Sequence, residues 1–348
     1  RTVTMDIDAL EAADLEVIGT LDVASTENHT FQNISGIGRI RLSGNSANQD
    51  NFPAGNSVDF GSITGGTVEW YGGSISLNQS RTFNNMEINL SASSNDAVLL
   101  DDYSLNGELI ITRGHLQFND NSSTTDLNVE VQGDVIVQSN GRISTGLGNA
   151  RHEFTLYSDL LNNGGQMYFS NRSAPNYTAE ATNGIVDVNF RNDTGNQEII
   201  CSGISEFYRI EIDKGEDQTY ALDISASDPA NFAIYGPTND GHGSTAQLTA
   251  NDNALGLLRG TVKVSENIVI PRLNNGGNYN ISEAARIWVD GGAVTKSSGT
   301  AIVIYGTLEI SNGTIDAPIS SGLTTRNNGN IVVSGGVMNT RQIRTSVL

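Results

Sequence analysis

A short segment recurs along the chain at intervals in the low twenties of residues. Copies that begin at Ala285, Gly306 and Gly329 are separated by 21 and 23 residues, and looser copies begin at Gly19, Gly133 and Gly260. Each copy is a small residue, a short alternating strand, a tight Gly/Asn corner and a second short strand. Such a period, without helices, predicts one coil of a parallel β-solenoid.

Further copies begin at Gly66 and Gly107, and their separation of 41 residues is close to two such units. We therefore expect an all-β fold, a parallel β-helix or β-solenoid with coils of about 21–26 residues and some long loops. One coil cannot bury its own inward side chains, so neighbouring coils must stack at about 4.8 Å. Roughly 12 to 15 coils would give a rod about 60–70 Å long.

The alternation of side chains within each copy predicts which residues face the core. The predicted inward residues are Leu21, Val23, Val68, Trp70, Leu109, Ile111, Val135, Val137, Val262, Val264, Ile287, Val289, Leu308, Ile310, Ile331 and Val333. The predicted outward residues are Asp22, Glu69, Ile110, Ile136, Lys263, Trp288, Glu309 and Val332. Apolar residues among the outward set suggest that parts of this face are covered by a loop, another domain or a partner, but single exposed apolar residues are also ordinary on protein surfaces. Trp288, the only outward Trp, is the possible surface contact.

A longer duplication lies over the short one and suggests two modules. Gly66 to Leu90 and Gly184 to Lys214 each begin with a Gly and an alternating strand, and each ends in a Phe-x-x-apolar-Glu-Ile strand. The predicted modules are 1–150 and 151–348, which form one continuous rod. Long loops are expected at the irregular stretches 146–152, 170–181 and 225–244. One helix-like run, 7–16, interrupts the strand pattern, although its last residues also alternate.

Charge and hydropathy exclude several classes of protein. The chain of 348 residues has 19 basic and 39 acidic side chains and a net charge of −20, so it offers no basic surface for a nucleic acid. No apolar stretch reaches the roughly 18 residues of a membrane span. A single cysteine, Cys201, excludes an internal disulfide. The first residues carry neither a start Met nor a signal peptide, so we expect either a mature or excised piece of a longer chain or an arbitrary boundary of the sequence.

A carbohydrate-active enzyme is the natural rival, because lyases and glycoside hydrolases also use β-helices. Their sites need carboxylates that converge from neighbouring coils. The candidate clusters are Asp101 with Asp102, Asp120 with Asp126, and Glu211 with Asp213, for which Arg209 and Lys214 favour an ordinary solvated ladder. Adjacent residues of a strand point to opposite faces, which argues against the first pair. The sequence therefore assigns no catalytic residue.

The histidines, the cysteine and the Asn/Asp-rich loops are the remaining candidates for chemistry. The histidines His29, His115, His152 and His242 lack metal-ligand spacing, and His115 is expected at the surface. Cys201 has no base near it in the sequence and is expected to be a buried, inert thiol. The Asn/Asp-rich loops 119–121 and 251–253 could supply oxygen ligands to Ca²⁺. The simpler interpretation is that Asn and Asp tolerate the left-handed backbone of solenoid corners, so no metal ligand or cofactor is assigned.

Two segments resemble a known family. Phe83 to Leu90, followed by the Leu-Asn-Gly-x-Leu coil at Leu105 to Leu109, is similar to the repeats of long surface proteins that Bacteroidota export by the type IX secretion system. Phe207 to Lys214 matches the same element with Tyr208 and Arg209 in place of the Asn pair. The resemblance covers about residues 15–118 and 184–345. It implies an extracellular or cell-surface stalk, as in adhesins and gliding adhesins, although the family's carboxy-terminal sorting domain is not visible here.

Two hypotheses for function follow from these observations. The first is a structural and adhesive stalk segment, not an enzyme, whose partners are further segments of the same long chain, the secretion machinery, and surface glycans or other cells. The second is a carbohydrate-active β-helix enzyme or a glycan-binding module. A groove of converging acidic and basic side chains beside exposed aromatic rings would favour the second hypothesis.

Overall fold

A computed structural model of the chain describes residues 1–148, 150–169, 184–235, 253–274, 276–297 and 299–346. Nearly all the regular structure in these ranges is β-strand, and the strands pair in parallel from one coil to the next. One turn of 3₁₀ helix, Pro229–Asn231, is the only helix in the described ranges, and the Asp228 side chain caps it. The predicted all-β parallel solenoid is confirmed.

Each full coil runs through three faces. Face 1 consists of β1 (Thr2–Thr4), β3 (Thr20–Ala24), β5 (Arg39–Leu42), β7 (Thr67–Trp70), β10 (Asn85–Asn89), the first part of β13 (Leu109–Phe118) and of β15 (Val135–Thr145), β17 (Leu160–Asn163), β20 (Gln197–Cys201), β23 (Ala221–Ala226), the last part of β25 (Leu255–Val264), the first part of β28 (Ala285–Thr295) and of β30 (Thr307–Ala317), and β32 (Asn330–Val333).

The other two faces complete the coil. Face 2 consists of β8 (Ile75–Leu77), β11 (Asp96–Leu99), β18 (Gln166–Tyr168), β21 (Ile204–Phe207), β24 (Phe232–Ile234), β26 (Val269–Ile270), β33 (Val337–Thr340) and the last parts of β13, β15, β28 and β30. Face 3 consists of β2 (Glu11–Glu16), β4 (Thr30–Ser35), β6 (Ala54–Asn56), β9 (Arg81–Phe83), β12 (Tyr103–Leu105), β14 (Asn128–Val131), β16 (Arg151–Leu156), β19 (Ile185–Phe190), β22 (Arg209–Asp213), the first part of β25, β27 (Tyr279–Ile281), β29 (Ile302–Ile304), β31 (Leu323–Arg326) and β34 (Ile343–Ser346).

The register of face 1 is continuous along the described chain. One inward column passes through fourteen strands of the described residues: Val3, Leu21, Ile40, Val68, Met86, Leu109, Val135, Leu160, Ile199, Ile224, Val264, Val289, Ile310 and Val333. The copies that begin at 285, 306 and 329 are neighbouring coils, as predicted, because Ile287 pairs with Leu308 and Leu308 with Ile331.

Coil length varies more than the repeat suggested. The step from Val68 to Met86 is 18 residues, and the step from Leu109 to Val135 is 26. Residues that lie outside the described ranges account for two longer steps, Leu160 to Ile199 and Ile224 to Val264. All of the expected loop 170–181, and residues 236–244 of the expected loop 225–244, also lie outside the described ranges. The sheet crosses residue 150 without interruption, since β16 pairs with both β14 and β19.

The core consists of stacked aliphatic and aromatic columns. Fourteen of the sixteen predicted inward residues are buried, including Val68, Trp70, Leu308 and Ile310 at 0% exposed. Aromatic rings continue from coil to coil with centroid separations of 5.5 to 5.9 Å, in the order Phe118, Phe154, Phe169, Phe207 and Phe232. This dry, layered packing stabilises each coil through both of its neighbours.

The prediction was wrong for the last two inward residues. Ile331 is half-buried and Val333 is 50% exposed. Both belong to β32, which pairs only with β30 among the described strands, so the far side of this coil is open. The helix-like run 7–16 was also misjudged, because its second half is β2, which pairs with β4. No helix within the described ranges is long and apolar enough to cross a membrane.

Candidate functional site

The outer surface of face 1 begins with a ladder of ion pairs. Glu69 Oε2 lies 3.0 Å from Arg39 Nη1 and 3.0 Å from Arg41 Nε, and Arg41 Nη1 lies 3.4 Å from Asp22 Oδ2. Arg39 also pairs with Glu87. Glu69 was expected to be exposed and is only 5% exposed, because the two arginine side chains cover it from the neighbouring coil. The ladder joins four successive coils and pairs three of their outward carboxylates with two arginines.

Trp288, the predicted surface contact, is half-buried among polar partners. Arg286 Cζ lies 4.8 Å and Lys263 Nζ lies 5.1 Å from the centroid of its ring, which are cation–π distances. Its Nε1 donates a hydrogen bond of 2.7 Å to Ser311 Oγ. Arg286 also pairs with Glu309, which is half-buried rather than exposed as predicted. The tryptophan is therefore engaged by two cations and a hydroxyl from the solenoid itself.

Two other outward columns run side by side in the middle of face 1. The aliphatic column continues the predicted residues Ile110 and Ile136 with Leu161 and Ile200, and all four are half-buried. The acidic column beside it is in the same register and consists of Glu108, Asp134, Asp159 and Glu198. Burial, followed by the charge of Asp134, raises the pKa of Asp159. This part of face 1 thus combines negative charge with an apolar strip.

Face 2 contains a hydrogen-bonded relay centred on His115. Its Nδ1 lies 2.8 Å from Asp96 Oδ1 and its Nε2 lies 2.6 Å from Ser144 Oγ. His115 was expected at the surface but is 7% exposed. Burial, and to a lesser extent the Arg142 guanidinium, lowers the pKa of His115, while the Asp96 carboxylate opposes that shift.

The relay has the order of groups found in serine hydrolases, but its environment differs. Ser144 is 1% exposed, so its hydroxyl is closed off from a substrate carbonyl. Asp96, His115 and Ser144 lie on three successive coils, β11, β13 and β15. The geometry therefore ties coils together and keeps a neutral imidazole between a carboxylate and a hydroxyl.

The first two pairs of candidate carboxylates hold the backbone. Asp101 Oδ1 accepts from the Asp102 amide, and Asp102 Oδ1 accepts from the Asn128 amide on the next coil. Asp120 Oδ1 accepts from the amides of Ser122 and Ser123, and these hydrogen bonds lower the pKa of Asp120. Asp126 Oδ1 accepts from the Arg151 amide. Each of these carboxylates closes a turn or locks one coil to the next.

The third pair lies in an arginine ladder on face 3. Glu211 pairs with Arg191 and Arg209, and Asp213 Oδ1 lies 2.5 Å from Arg259 Nε. The sequence interpretation placed Lys214 in this ladder, and that is wrong. Lys214 is fully buried and points to Gln197 instead.

The corners explain much of the Asn-rich composition. Asn28, Asn48, Asn119, Asn267 and Asn327 all have φ between 49° and 67°, in the left-handed region that Asn tolerates. Asn119 begins one of the loops considered for Ca²⁺, and residues 251–252 of the other loop lie outside the described ranges. Within the described part of the chain, no group of three His, Cys, Asp or Glu residues is placed to hold a metal ion.

The remaining histidines and the cysteine are structural where they are described. His29 Nδ1 accepts from the Leu10 amide and His152 Nδ1 accepts from the Leu127 amide, so each closes a coil. His242 lies outside the described ranges. Burial raises the pKa of the Cys201 thiol to about 11, which agrees with the predicted inert, buried thiol.

Sequence reasoning missed two arrangements, the His115 relay and the buried contact between Lys214 and Gln197. Their members are 17 to 29 residues apart and meet only once the coils stack. A charged Lys directly after an alternating strand was the one available sequence signal for the contact between Lys214 and Gln197.

Comparison with known proteins adds no relative: no family model, no curated protein and no solved structure matches the chain.

Proposed function

We propose that this chain is a structural and adhesive stalk segment of a large secreted cell-surface protein, and that it is not an enzyme. The observation that carries the proposal is the single inward column that passes through fourteen strands of the described residues in continuous register. Such a stack transmits length and stiffness, because each coil is held by the coils on both sides.

The outer surface supports the same function. Carboxylates that could repel one another are paired with arginine across coils, as Glu69 is with Arg39 and Arg41. The chain still has a net charge of −20, which favours hydration and repulsion from anionic surfaces. A rod with this surface would hold adhesive regions away from a cell without binding to the envelope that carries it.

The proposed location and partners rest on the resemblance to Bacteroidota surface proteins. We place the chain at the outside of the cell, exported by a type IX secretion machinery and joined to further segments of the same long chain. Attachment or gliding is the activity to which such a stalk would contribute. Surface glycans or other cells are the proposed targets, contacted by loops or by distant regions.

The rival function, a carbohydrate-active enzyme or glycan-binding module, has less support from the contacts. The candidate acids of such a site are committed to backbone amides, as Asp102 and Asp126 are, or to arginine, as Glu211 is. Trp288, the aromatic residue proposed to face outward, has cations near its ring. A sugar would have to displace these cations before it could stack on the indole.

The test is incubation of the purified chain with a broad polysaccharide panel, with and without Ca²⁺. New reducing ends, unsaturated products and retention on the immobilised glycans are all measured. The stalk proposal predicts no turnover in any condition. Turnover that disappears when Asp or Glu residues of one groove are replaced would overturn it and favour the enzyme.

A further inference from the structure

A buried amine and a buried carboxamide meet inside the solenoid. Lys214, directly after β22, and Gln197, the first residue of β20, are both 0% exposed. Lys214 Nζ lies 2.5 Å from Gln197 Oε1. The lysine reaches inward because Gly260 leaves room for it: a Cβ at Gly260 would lie 2.9 Å from Lys214 Cβ.

The orientation of the Gln197 carboxamide is fixed by its other contacts. Its Nε2 donates to the backbone carbonyls of Ser158 at 2.7 Å and Leu156 at 3.2 Å. The carbonyl end is therefore turned to Lys214, and Cδ lies one bond from the atom that the amine already contacts. Reacting groups held in this way have the positional advantage of an intramolecular reaction.

The environment favours the reactive form of the amine. A lysine attacks a carbonyl only when it is neutral, and burial lowers the pKa of Lys214 to about 8, against the opposing charges of Asp159 and Asp193. A neutral amine held against the carbonyl that it would attack is the arrangement that aminolysis of an amide requires.

We propose that Lys214 and Gln197 become joined by an intramolecular isopeptide bond. Nζ of Lys214 attacks Cδ of Gln197, the Nζ–Cδ bond forms, and the Cδ–Nε2 bond breaks. One proton leaves Nζ and ends on Nε2, which departs as ammonia, so the reaction needs no oxidant or external reagent. The carbonyl oxygens of Leu156 and Ser158 accept hydrogen bonds from the departing nitrogen as it gains positive charge.

The bond would staple the rod from within. It would close a loop between residues 17 apart in the sequence, and it would join face 1 to face 3 across the corner between them. A cross-link of this kind restricts the unfolded chain and resists opening of the coil. Unlike a disulfide, it would not be reversed by reductants.

The test is the intact mass of the purified 348-residue chain, measured after unfolding, followed by peptide mapping. The proposal predicts a mass lower by one ammonia and a branched peptide that joins Gln197 to Lys214. Lys214→Arg keeps the positive charge but removes the nucleophile, and it should restore the full mass. Gln197→Met should do the same and serves as the second control.

Peptide mapping is decisive because succinimide formation at an Asn-Gly pair also releases ammonia. Two results would overturn the proposal. One is full mass with linear peptides that contain unmodified Gln197 and Lys214 after long incubation at pH 8 to 9, near the lowered pKa of the amine. The other is an ammonia deficit that maps to any other residue or persists in Lys214→Arg.

Discussion

Arg39 Nη1 lies 3.0 Å from Glu69 Oε2, although the two residues are 30 positions apart in the chain and lie on neighbouring coils. Arg41 approaches the same oxygen at 3.0 Å. A carboxylate that is 5% exposed depends on such partners, because burial of an unpaired charge is costly. The ion-pair ladder is therefore part of what holds the first coils in register.

Replacing Glu69 tests that ladder. Glu69→Gln keeps the size of the side chain but leaves the two guanidinium groups without their shared charge, so it should lower the free energy of unfolding by about 1–3 kcal/mol. Glu108→Gln is the matched control, because Glu108 is exposed on the same face. Urea midpoints measure both variants. Equal midpoints would show that the ladder contributes nothing to stability.

The face assignment is tested by three substitutions near the carboxyl end. Ile310→Asp should cost several kcal/mol, because Ile310 is 0% exposed and an unpaired carboxylate in an apolar core is expensive. Glu309→Gln, one residue away and half-buried, should cost less than about 1 kcal/mol. Val333 stacks directly on Ile310 but is half-exposed. Val333→Asp should therefore lower the free energy of unfolding clearly less than Ile310→Asp does.

The same urea titrations decide the outcome. A loss of stability in Glu309→Gln as large as that in Ile310→Asp would mean that the register of β30 is wrong. A loss in Val333→Asp equal to that in Ile310→Asp would mean that the last described coil is covered in solution.

The buried histidines predict how stability depends on pH. Burial lowers the pKa of His115 and of His29 below the usual value of 6.5. Below about pH 6.5 the unfolded chain therefore binds protons that the folded chain does not, so the free energy of unfolding should fall as the pH decreases. Above that value both states hold neutral imidazoles, so these two residues should no longer make stability depend on pH.

His115→Gln checks this dependence, because it retains a hydrogen-bonding side chain without a titrating imidazole. Urea unfolding between pH 5 and 8 should show a shallower loss of stability in the variant than in the parent chain. A slope that does not change would exclude His115 as one of the groups responsible. Ser144→Ala should leave the slope of the parent largely intact, since the hydroxyl does not titrate in this range.

The sequence was sufficient for the coil and its inward columns. The copies at Ala285, Gly306 and Gly329 supply the period, and alternation then places Leu308 and Ile310 inside. These are local properties of each copy, so they could be predicted without knowing which coil lies beside which.

The contacts that could not be predicted from the sequence depend on how coils of unequal length stack. Glu69 is buried by arginines whose distance along the chain no repeat specifies, and the His115 relay spans steps of 19 and 29 residues. Val333 has the same pattern as Ile310 but lies on a coil with one described neighbour. Contacts of this kind follow from the register of the whole stack, and the repeat alone does not contain it.

A stalk whose function is length and stiffness should tolerate the loss of whole coils, and deleting an integral number of them tests the proposed function most directly. Removing residues 109–159 joins Glu108 to Leu160 and preserves the register on all three faces. The strands that become neighbours, β10 with β17, β11 with β18 and β12 with β19, are in each case separated by two stacked strands. Removing residues 109–145 instead leaves an incomplete coil and is the control. Small-angle X-ray scattering should show the first variant folded and shorter than the parent by about 10 Å, the rise of two coils. In urea titrations the first variant should keep cooperative unfolding, and only the control should lose it. An integral deletion that unfolds like the control, or that leaves the maximum dimension unchanged, would contradict the stalk proposal.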